Sequence, residues 1–232
     1  MKLSVVIPCY NEQDSIPLML ERFKEVIKTD DIEVILVNNG STDNTAEVLD
    51  TLREKYTFVR TANVEVNQGY GFGILNGLSV ARGEFLGWSH ADLQTDPYDC
   101  IRAYQIIKEH GGSANLYVKG LRGNRPLFDR FFTSGMSIFE TLYLGQALWD
   151  INAQPNIFHR NFYESWNSPP HDFSLDLYAL YLARKNNLKV IRFSVQFPKR
   201  KHGKSSWNTS LRGKLKFIKR TLDFSVKLKR NL

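Results

Sequence analysis

The sequence contains few of the features that define several protein classes. Its 232 residues include only two cysteines, Cys9 and Cys100, without the spacing of a metal site and in a chain too long for a disulfide-stabilised miniprotein. We expect both to be reduced core residues of a cytosolic protein. The longest apolar runs have the length of a strand, so we expect no transmembrane helix. The beginning of the chain turns polar at Asn11, too early for a secretory signal, and no internal repeat is present.

The charge of the chain is unevenly distributed. Residues 199–232 contain twelve Lys or Arg and one acid, Asp223, and therefore carry +11, whereas the overall net charge of +7 leaves −4 for the rest. A basic tail on a slightly acidic body indicates an anionic partner, either a membrane or a nucleic acid. No stretch interleaves aromatic and basic residues as single-strand-binding proteins do, so we favour the membrane.

Short apolar runs alternate with helical patterns along the first hundred residues. The predicted strands are Leu3–Pro8, Ile32–Val37, Phe58–Ala62 and Phe85–Trp88, and the predicted helices are Ser15–Lys28, Ala46–Tyr56 and Ile74–Ala81. This alternation predicts an α/β fold with a mainly parallel central sheet flanked by helices. A glycine-rich loop at residues 67–73 has the wrong spacing for a dinucleotide fingerprint and follows the third strand, which excludes a dehydrogenase.

The later elements are predicted in the same way. They are helix Asp99–Glu109, strand Leu116–Gly120, apolar helix Phe131–Leu144, a loop at 161–171, helix Asp172–Lys185, strand Leu188–Phe197 and a basic amphipathic helix at 211–232. The last helix places Leu211, Leu215, Ile218, Leu222 and Val226 on one stripe among eight Lys and Arg residues. Such a helix can lie on an anionic membrane or pack its stripe on the protein.

A cluster of metal-ligand types follows the buried strand Phe85–Trp88. His90, Asp92 and Gln94 alternate along the chain, so a continued strand would point all three in one direction. Strand ends of open α/β sheets bind ligands, and an imidazole, a carboxylate and an amide oxygen can together hold Mn²⁺ or Mg²⁺. The sequence therefore predicts a divalent metal site here, although a polar junction that caps the next helix is the simpler alternative.

Four motifs occur in a characteristic order. They are Val5-Val-Ile-Pro-Cys-Tyr-Asn-Glu12, Val37-Asn-Asn-Gly-Ser-Thr-Asp43, Asn67-Gln-Gly-Tyr-Gly71 and Ala91-Asp-Leu-Gln94. In this order they resemble family 2 glycosyltransferases, and in particular the soluble dolichyl- or polyprenyl-phosphate mannosyltransferase-like branch. The resemblance covers roughly residues 3 to 210 and implies a GT-A (Rossmann-like) domain at 1–210. Residues 1–97 would form its nucleotide-sugar-binding half, residues 98–210 its acceptor half, and 211–232 a membrane-surface helix.

The resemblance also implies a donor site. The nucleotide-sugar contacts would be Pro8, Tyr10, Glu12, Asn39, Asp43, Gly69, Ala91, Asp92 and Lys204, with Asp92, Gln94 and His90 around Mn²⁺ or Mg²⁺. Two departures affect this site. His90 replaces the first acid of the usual Asp-x-Asp, which predicts altered metal dependence, and Asn38-Asn39 replaces a pair of acids. An amide offers a donor where a carboxylate only accepts, so the nucleobase stays open.

The implied acceptor and catalytic residues lie in the second half. Arg125, Arg130 and Ser134 would hold a lipid phosphate, with Arg122 competing for the first role, since arginine binds phosphate bidentately. Gln154 would lie beneath the donor sugar. Asp176 or Asp172, expected on one face of a helix, matches the family's acid that acts as general base. Arg200, His202, Lys204, Ser205 and Ser206 match a loop that closes over the diphosphate, with Arg200 assisting catalysis.

These implications together predict an inverting, metal-dependent glycosyltransferase at the cytoplasmic face of the membrane. It would move a sugar from a UDP- or GDP-sugar to a polyprenyl phosphate, whose ionised oxygen needs no protein base. The first alternative is transfer to a saccharide hydroxyl in cell-surface polysaccharide or lipopolysaccharide synthesis, with Asp176 or Asp172 as base. The second is a degenerate relative that binds a nucleotide sugar without turnover, because His90 and the Asn pair replace acids. A nucleic-acid partner is not expected.

Overall fold

A computed structural model describes residues 1–123, 127–198 and 211–230, and the side chains of 127–132 and 211–217 lie outside the description. The first half consists of β1 (Leu3–Cys9), α1 (Ser15–Val26), β2 (Ile32–Asn39), α2 (Thr45–Lys55), β3 (Val59–Val64), α3 (Tyr70–Val80), β4 (Phe85–Trp88) and α4 (Pro97–Glu109). The second consists of β5 (Leu116–Arg122), α5 (Leu127–Leu144), β6 (Asn156–His159), α6 (Arg160–Glu164), α7 (Leu175–Lys185), β7 (Lys189–Val195) and α8 (Leu211–Arg230).

The strands form one sheet in the order β3-β2-β1-β4-β6-β5-β7. All neighbouring pairs are parallel except those made by β6, which runs antiparallel to both β4 and β5. β1 and β2 are apolar almost throughout because helices cover both faces of the sheet. Leu3, Val5 and Ile7 face the core under α1 and α4, whereas Val6 faces the core under α3 and α7. The predicted parallel α/β architecture is confirmed.

Several element boundaries differ from those predicted. α3 begins at Tyr70, four residues earlier than predicted, and a short α6 occupies part of the predicted loop at 161–171. The imidazole of His159 accepts from the backbone N–H of Asn161 and so caps α6, a role that apolar periodicity does not reveal. α5 begins at Leu127 rather than Phe131, and α7 begins at Leu175, so Asp172 precedes that helix.

The C-terminal α8 packs on α5 through one of its faces. The Ser225 hydroxyl donates to Glu140 Oε2 at 2.7 Å, Lys229 Nζ donates to the Tyr143 carbonyl at 2.7 Å, and Phe224 packs on the core. This face lies to one side of the predicted apolar stripe, whose Val226 is exposed. Part of the stripe therefore stays available outside the protein core.

Two further expectations concern the whole chain. Cys9 and Cys100 are buried and unpaired, as predicted. Among the described residues, no helix is both long enough and apolar enough to cross a membrane.

Candidate active site

The carboxyl ends of the parallel strands β1, β2 and β4 meet at one edge of the sheet. This edge carries the predicted donor residues, because the polar segments that follow each strand begin there. Tyr10 is 45% exposed and presents a free aromatic ring beside the end of β1, whereas Pro8 lies within β1 and Glu12 is buried. An exposed ring at this place can stack on a nucleobase.

The loop after β2 is held by its own polar side chains. Asn38 Nδ2 donates to Asn63 Oδ1 at 2.9 Å, and Asn38 Oδ1 accepts from the Ser41 N–H. Asn39 Nδ2 donates to the Gly69 carbonyl at 3.0 Å, which ties this loop to the glycine-rich segment. Asp43 accepts from the Thr45 N–H at the start of α2. The amides that replace acids thus have structural partners here, and their contact with a nucleobase stays a prediction.

Gly69 and Gly71 pack against the backbone of residues 170–172. A Cβ at Gly69 would lie 2.4 Å from the His171 carbonyl oxygen, and one at Gly71 would lie 2.6 Å from that of Pro170. Gly69 also has a φ of +115°, which a side chain would strain. The glycines therefore permit a close approach between the donor half and the segment that precedes α7, and a nucleotide contact at Gly69 stays a prediction.

The predicted alternation of His90, Asp92 and Gln94 is wrong. β4 ends at Trp88, residues 91–95 form bends, and Leu93 has a positive φ of 59°. Asp92, which is buried beside Ala91, accepts from the Gln94 N–H at 3.1 Å, and Gln94 Nε2 donates to the Pro198 carbonyl at 3.0 Å. Within the described residues, no three His, Cys, Asp or Glu side chains are gathered as a metal site. A carboxylate, an imidazole and an amide nonetheless remain at this edge, and this donor set fits Mn²⁺ or Mg²⁺ with water completing the shell.

Asp176 is the acceptor at the centre of a buried polar network. The carboxylate is 2% exposed, and its Oδ1 accepts from Gln154 Nε2 at 2.8 Å, Asn156 Nδ2 at 3.2 Å and Trp88 Nε1 at 3.2 Å. Burial raises the pKa of Asp176, because a charge loses its water there, while the charge of Lys119 opposes that rise. The three hydrogen bonds fix the carboxylate in one orientation.

Tyr70 connects this network to the predicted metal site. Its hydroxyl accepts from Gln154 Nε2 at 3.2 Å, and its ring lies 6.0 Å from that of His90. The Tyr70 ring also stacks on the ring of Phe173, with 4.7 Å between the centroids. Burial raises the pKa of Tyr70, and the nearby charges of Asp176 and Asp92 raise it further. The structure thus brings His90, Asp92, Gln154 and Asp176 together around one tyrosine.

The predicted acceptor residues are described only in part. Arg122 donates to Asp150 from its backbone N–H and its Nε at 2.9 Å each, and its Nη2 completes the ion pair. Burial alone raises the pKa of Asp150, but the charge and hydrogen bonds of Arg122 outweigh it, and the pKa is lowered. Ser134 is half-buried on α5. Arg125 and the side chain of Arg130 lie outside the described residues, so their roles stay predictions.

Asp172 does not share a helix face with Asp176, contrary to expectation. It lies in the turn before α7, where its Oδ1 accepts from the Ser174 N–H and its Oδ2 lies 3.5 Å from Arg220 Nε of α8. The predicted closing loop, with Arg200, His202, Lys204, Ser205 and Ser206, lies outside the described residues. Pro198, which precedes this loop, is hydrogen-bonded to Gln94 at the site.

The sequence pattern does not identify the role of Lys119. This lysine lies in β5, is fully buried, and donates from Nζ to the Asn156 side chain at 2.6 Å. The signal for it is a lone charge inside the apolar run Leu116–Gly120, which predicts a paired buried group rather than an ordinary strand residue. Asn156 gives a similar but weaker signal, an amide at the start of an apolar strand.

With the fold and this edge described, the chain can be compared with known proteins. The family model for "Glycosyl transferase family 2" matches residues 4–165, and the chain belongs to this family. An undecaprenyl-phosphate 4-deoxy-4-formamido-L-arabinose transferase of Serratia proteamaculans is 38% identical over 71% of this chain and 51% of its own length. The protein of the same name from Photorhabdus laumondii is 29% identical over 89% of this chain and 63% of its own. The chain thus spans less than two thirds of these curated relatives.

Solved structures show the same fold. A mannosyltransferase from Pyrobaculum calidifontis, in complex with GDP-Man and Mn²⁺, has a TM-score of 0.65 at 19% identity over 86% of this chain and 58% of its own. A glucosyl-3-phosphoglycerate synthase from Mycobacterium tuberculosis, in complex with Mn²⁺ and UDP, has a TM-score of 0.65 at 16% identity over 88% of this chain and 73% of its own. The fold of the chain is therefore GT-A, which confirms the expectation.

Proposed function

We propose that this family 2 glycosyltransferase moves a sugar from a UDP- or GDP-sugar to a polyprenyl phosphate, with inversion and with the help of a divalent metal. The observation that carries the choice of acceptor is the hydrogen bonding of Asp176, the acid that best matches the family's general base. Its Oδ1 already accepts three hydrogen bonds from the protein, which suits a carboxylate that holds a sugar hydroxyl in place rather than one that takes a proton from an acceptor. A phosphate acceptor is already ionised and needs no such base. The printed names of the curated relatives support the same acceptor class.

Within this function the described residues have distinct tasks. The exposed ring of Tyr10 stacks on the nucleobase, and the buried carboxylate of Asp176 accepts a hydrogen bond from the donor sugar that lies over Gln154. Asp92, with His90 and Gln94, would hold Mn²⁺ or Mg²⁺, which supplies charge neutralisation to the departing diphosphate. Pro198, the last described residue before the predicted closing loop, is hydrogen-bonded to Gln94, and this bond supports Arg200 and Lys204 as diphosphate contacts.

Transfer to a saccharide hydroxyl is the second candidate. It is favoured by Asp172, whose side chain is 31% exposed in the turn before α7 and therefore accessible to an acceptor. An assay of transfer to a polyprenyl phosphate and to a free saccharide separates the two candidates, because the first product partitions into organic solvent and the second does not.

The donor is tested by thermal unfolding with UDP, GDP and their sugars, each with and without Mn²⁺. A ligand at one hundred times its dissociation constant stabilises the native state by about 2.7 kcal/mol, a shift that is easily measured. A metal-dependent shift with one nucleotide would identify the donor class. The absence of a shift with every ligand would contradict both the proposed function and a degenerate relative that only binds a nucleotide sugar.

We also propose that a lipid acceptor is reached from the membrane surface. α5 exposes Ile138, Phe139 and Leu142, which share one side of the helix at positions i, i+1 and i+4, and Leu142 is 79% exposed. α8 lies against α5 and exposes Val226 together with Lys219, Lys227 and Arg230. Apolar side chains beside exposed cations match an anionic bilayer, into which the former insert and with which the latter pair.

The membrane contact is tested by sedimentation with vesicles that contain phosphatidylglycerol or only phosphatidylcholine. Leu142→Glu should lower binding to the anionic vesicles by about tenfold or more, since inserting a leucine contributes roughly 1.5–3 kcal/mol. Leu18→Glu is the matched control, because Leu18 is an exposed leucine on α1, away from α5 and α8. An equal loss of vesicle binding in both variants, or no loss in either, would refute the proposal that this surface of α5 and α8 contacts the membrane.

A further inference from the structure

Lys119 places an amine in the interior of the sheet, where burial lowers its pKa to about 7. It lies in β5 directly opposite Asn156 of β6, and its side chain is fully buried. Its Nζ donates to the Ala153 carbonyl and to Asn156 Oδ1, both at 2.6 Å. An apolar residue of the same size would fill this space without burying a polar group. The buried amine therefore points to a role other than filling the core.

The role follows from the hydrogen-bonding capacity of each group. Lys119 Nζ donates to both the Ala153 carbonyl and Asn156 Oδ1, so the Asn156 side chain turns its oxygen toward Lys119. The Tyr117 hydroxyl donates to the same oxygen at 2.9 Å and reinforces this orientation. Asn156 Nδ2 then faces the other way, where it donates to Gln154 Oε1 at 2.6 Å and to Asp176 Oδ1 at 3.2 Å.

The orientation passes on to the next amide. Because Gln154 Oε1 accepts from Asn156, the Nε2 of Gln154 faces Asp176, to which it donates at 2.8 Å. The Nζ donor at one end of this series thus determines that both amides present N–H groups at the other end. With Asn156 reversed, its oxygen would instead face the Asp176 carboxylate, and the two acceptors would repel.

We propose that Lys119 is a positioning residue, which orients the Asn156 and Gln154 amides so that they hold the Asp176 carboxylate for the donor sugar. The inference rests on the proposed function, because it concerns the same site and names a residue that acts on the sugar through Asp176. Arg192 lies opposite Lys119 in the register of β5 and β7, and the charges of Arg192 and Asp176 both act on the Lys119 amine.

The test uses the full chain with Lys119→Met, which preserves side-chain length but removes the donor. Binding is measured by thermal shift with UDP-glucose, UDP-N-acetylglucosamine and GDP-mannose, and with UDP and GDP alone. The variant should bind the effective nucleotide sugar about tenfold more weakly and its nucleoside diphosphate unchanged, because only the sugar reaches Asp176. Equal weakening of both ligands would indicate a merely structural role.

A double-mutant cycle in kcat/KM provides a second readout. Lys119→Met should lower kcat/KM about tenfold in the native background. When Asp176→Asn is already present, it should lower kcat/KM less than about threefold, because Lys119 acts through that carboxylate. Asn156→Ala covers the case in which Lys119→Met fails to fold. It leaves Lys119 the Ala153 carbonyl as an acceptor, adds no acceptor beside Asp176, and should show the same selective loss of sugar binding.

The outcomes separate the two proposals. A native chain that neither binds a nucleotide sugar nor transfers a sugar contradicts the proposed function, and the inference falls with it. A native chain that does both, while Lys119→Met equals it in sugar binding and in kcat/KM, overturns the inference alone.

Discussion

Glu140 connects the stability of the protein to pH. It lies on α5 against α8, is fully buried, and accepts from the Ser225 hydroxyl at 2.7 Å through Oε2. Burial raises the pKa of Glu140 from 4.5 to about 7, and the bond from Ser225 opposes that rise only partly. The folded protein therefore binds this proton more tightly than the unfolded chain. The resulting stabilisation is fully present below pH 4.5 and is lost as the pH rises through about 7.

The magnitude follows from the size of the shift. Each pKa unit corresponds to about 1.36 kcal/mol, so this group should lower the free energy of unfolding by about 2.5 kcal/mol between pH 5 and pH 8. Glu140→Gln removes the titration while preserving the shape of the side chain. We therefore expect the free energy of unfolding of the variant, measured with urea, to rise by about 2.5 kcal/mol relative to that of the native protein from pH 5 to pH 8.

An exposed glutamate provides the matched control. Glu54→Gln on α2 makes the same chemical change at the surface and should leave the pH dependence close to that of the native protein. If the curves for Glu140→Gln and the native protein run parallel from pH 5 to pH 8, Glu140 does not titrate in this range and the reasoning is refuted.

Three further outcomes are expected. Asp92→Asn should abolish the Mn²⁺-dependent part of the nucleotide-induced thermal shift while keeping some metal-independent binding; an unchanged metal dependence would exclude this ligand. Gly71→Ala should destabilise the protein by roughly 1–3 kcal/mol in urea unfolding, because its Cβ would contact the backbone of the segment before α7. The control variant Gly135→Ala, in an open part of α5, should be neutral or stabilising by up to about 1 kcal/mol. Asp150→Asn should lower the free energy of unfolding by about 3–5 kcal/mol, because it leaves the guanidinium of Arg122 without its buried partner. A small loss of stability together with a raised KM for the acceptor would instead indicate that Arg122 binds the acceptor phosphate.

The sequence predicts those parts of the fold that depend on local pattern. The strands β1, β2 and β4 are apolar runs bounded by turn residues, so their positions and parallel order can be predicted from the chain alone. The direction of β6 cannot be predicted in this way, because it depends on pairing with strands distant in sequence. The predicted alternation of His90, Asp92 and Gln94 is wrong for a related reason. Side chains alternate past Trp88 only if the strand continues, and β4 ends there.

The candidate site likewise contains residues that local motifs locate and contacts that depend on the assembled fold. Motif order locates Asp92 and Asp176, because each lies at a recognisable place in the chain. The network around Asp176 involves side chains from β4, β5, β6 and α7, and its members meet only when the sheet is assembled. Charge patterning likewise indicates a basic α8, but the face that α8 turns toward α5 is determined by Ser225 and Phe224 rather than by the most apolar stripe.

The reversed direction of β6 has a consequence for how sugar selectivity can change. Because β6 runs against its neighbours, it begins, rather than ends, at the edge that carries the site, with Asn156 opposite Trp88. In the proposed function, the connection from α5 to β6, residues 145–155, therefore ends beneath the donor sugar. We expect insertions and substitutions in this connection to alter which sugars are accepted while the nucleotide half stays unchanged. It is thus a suitable segment to exchange between relatives when donor preference is to be redesigned.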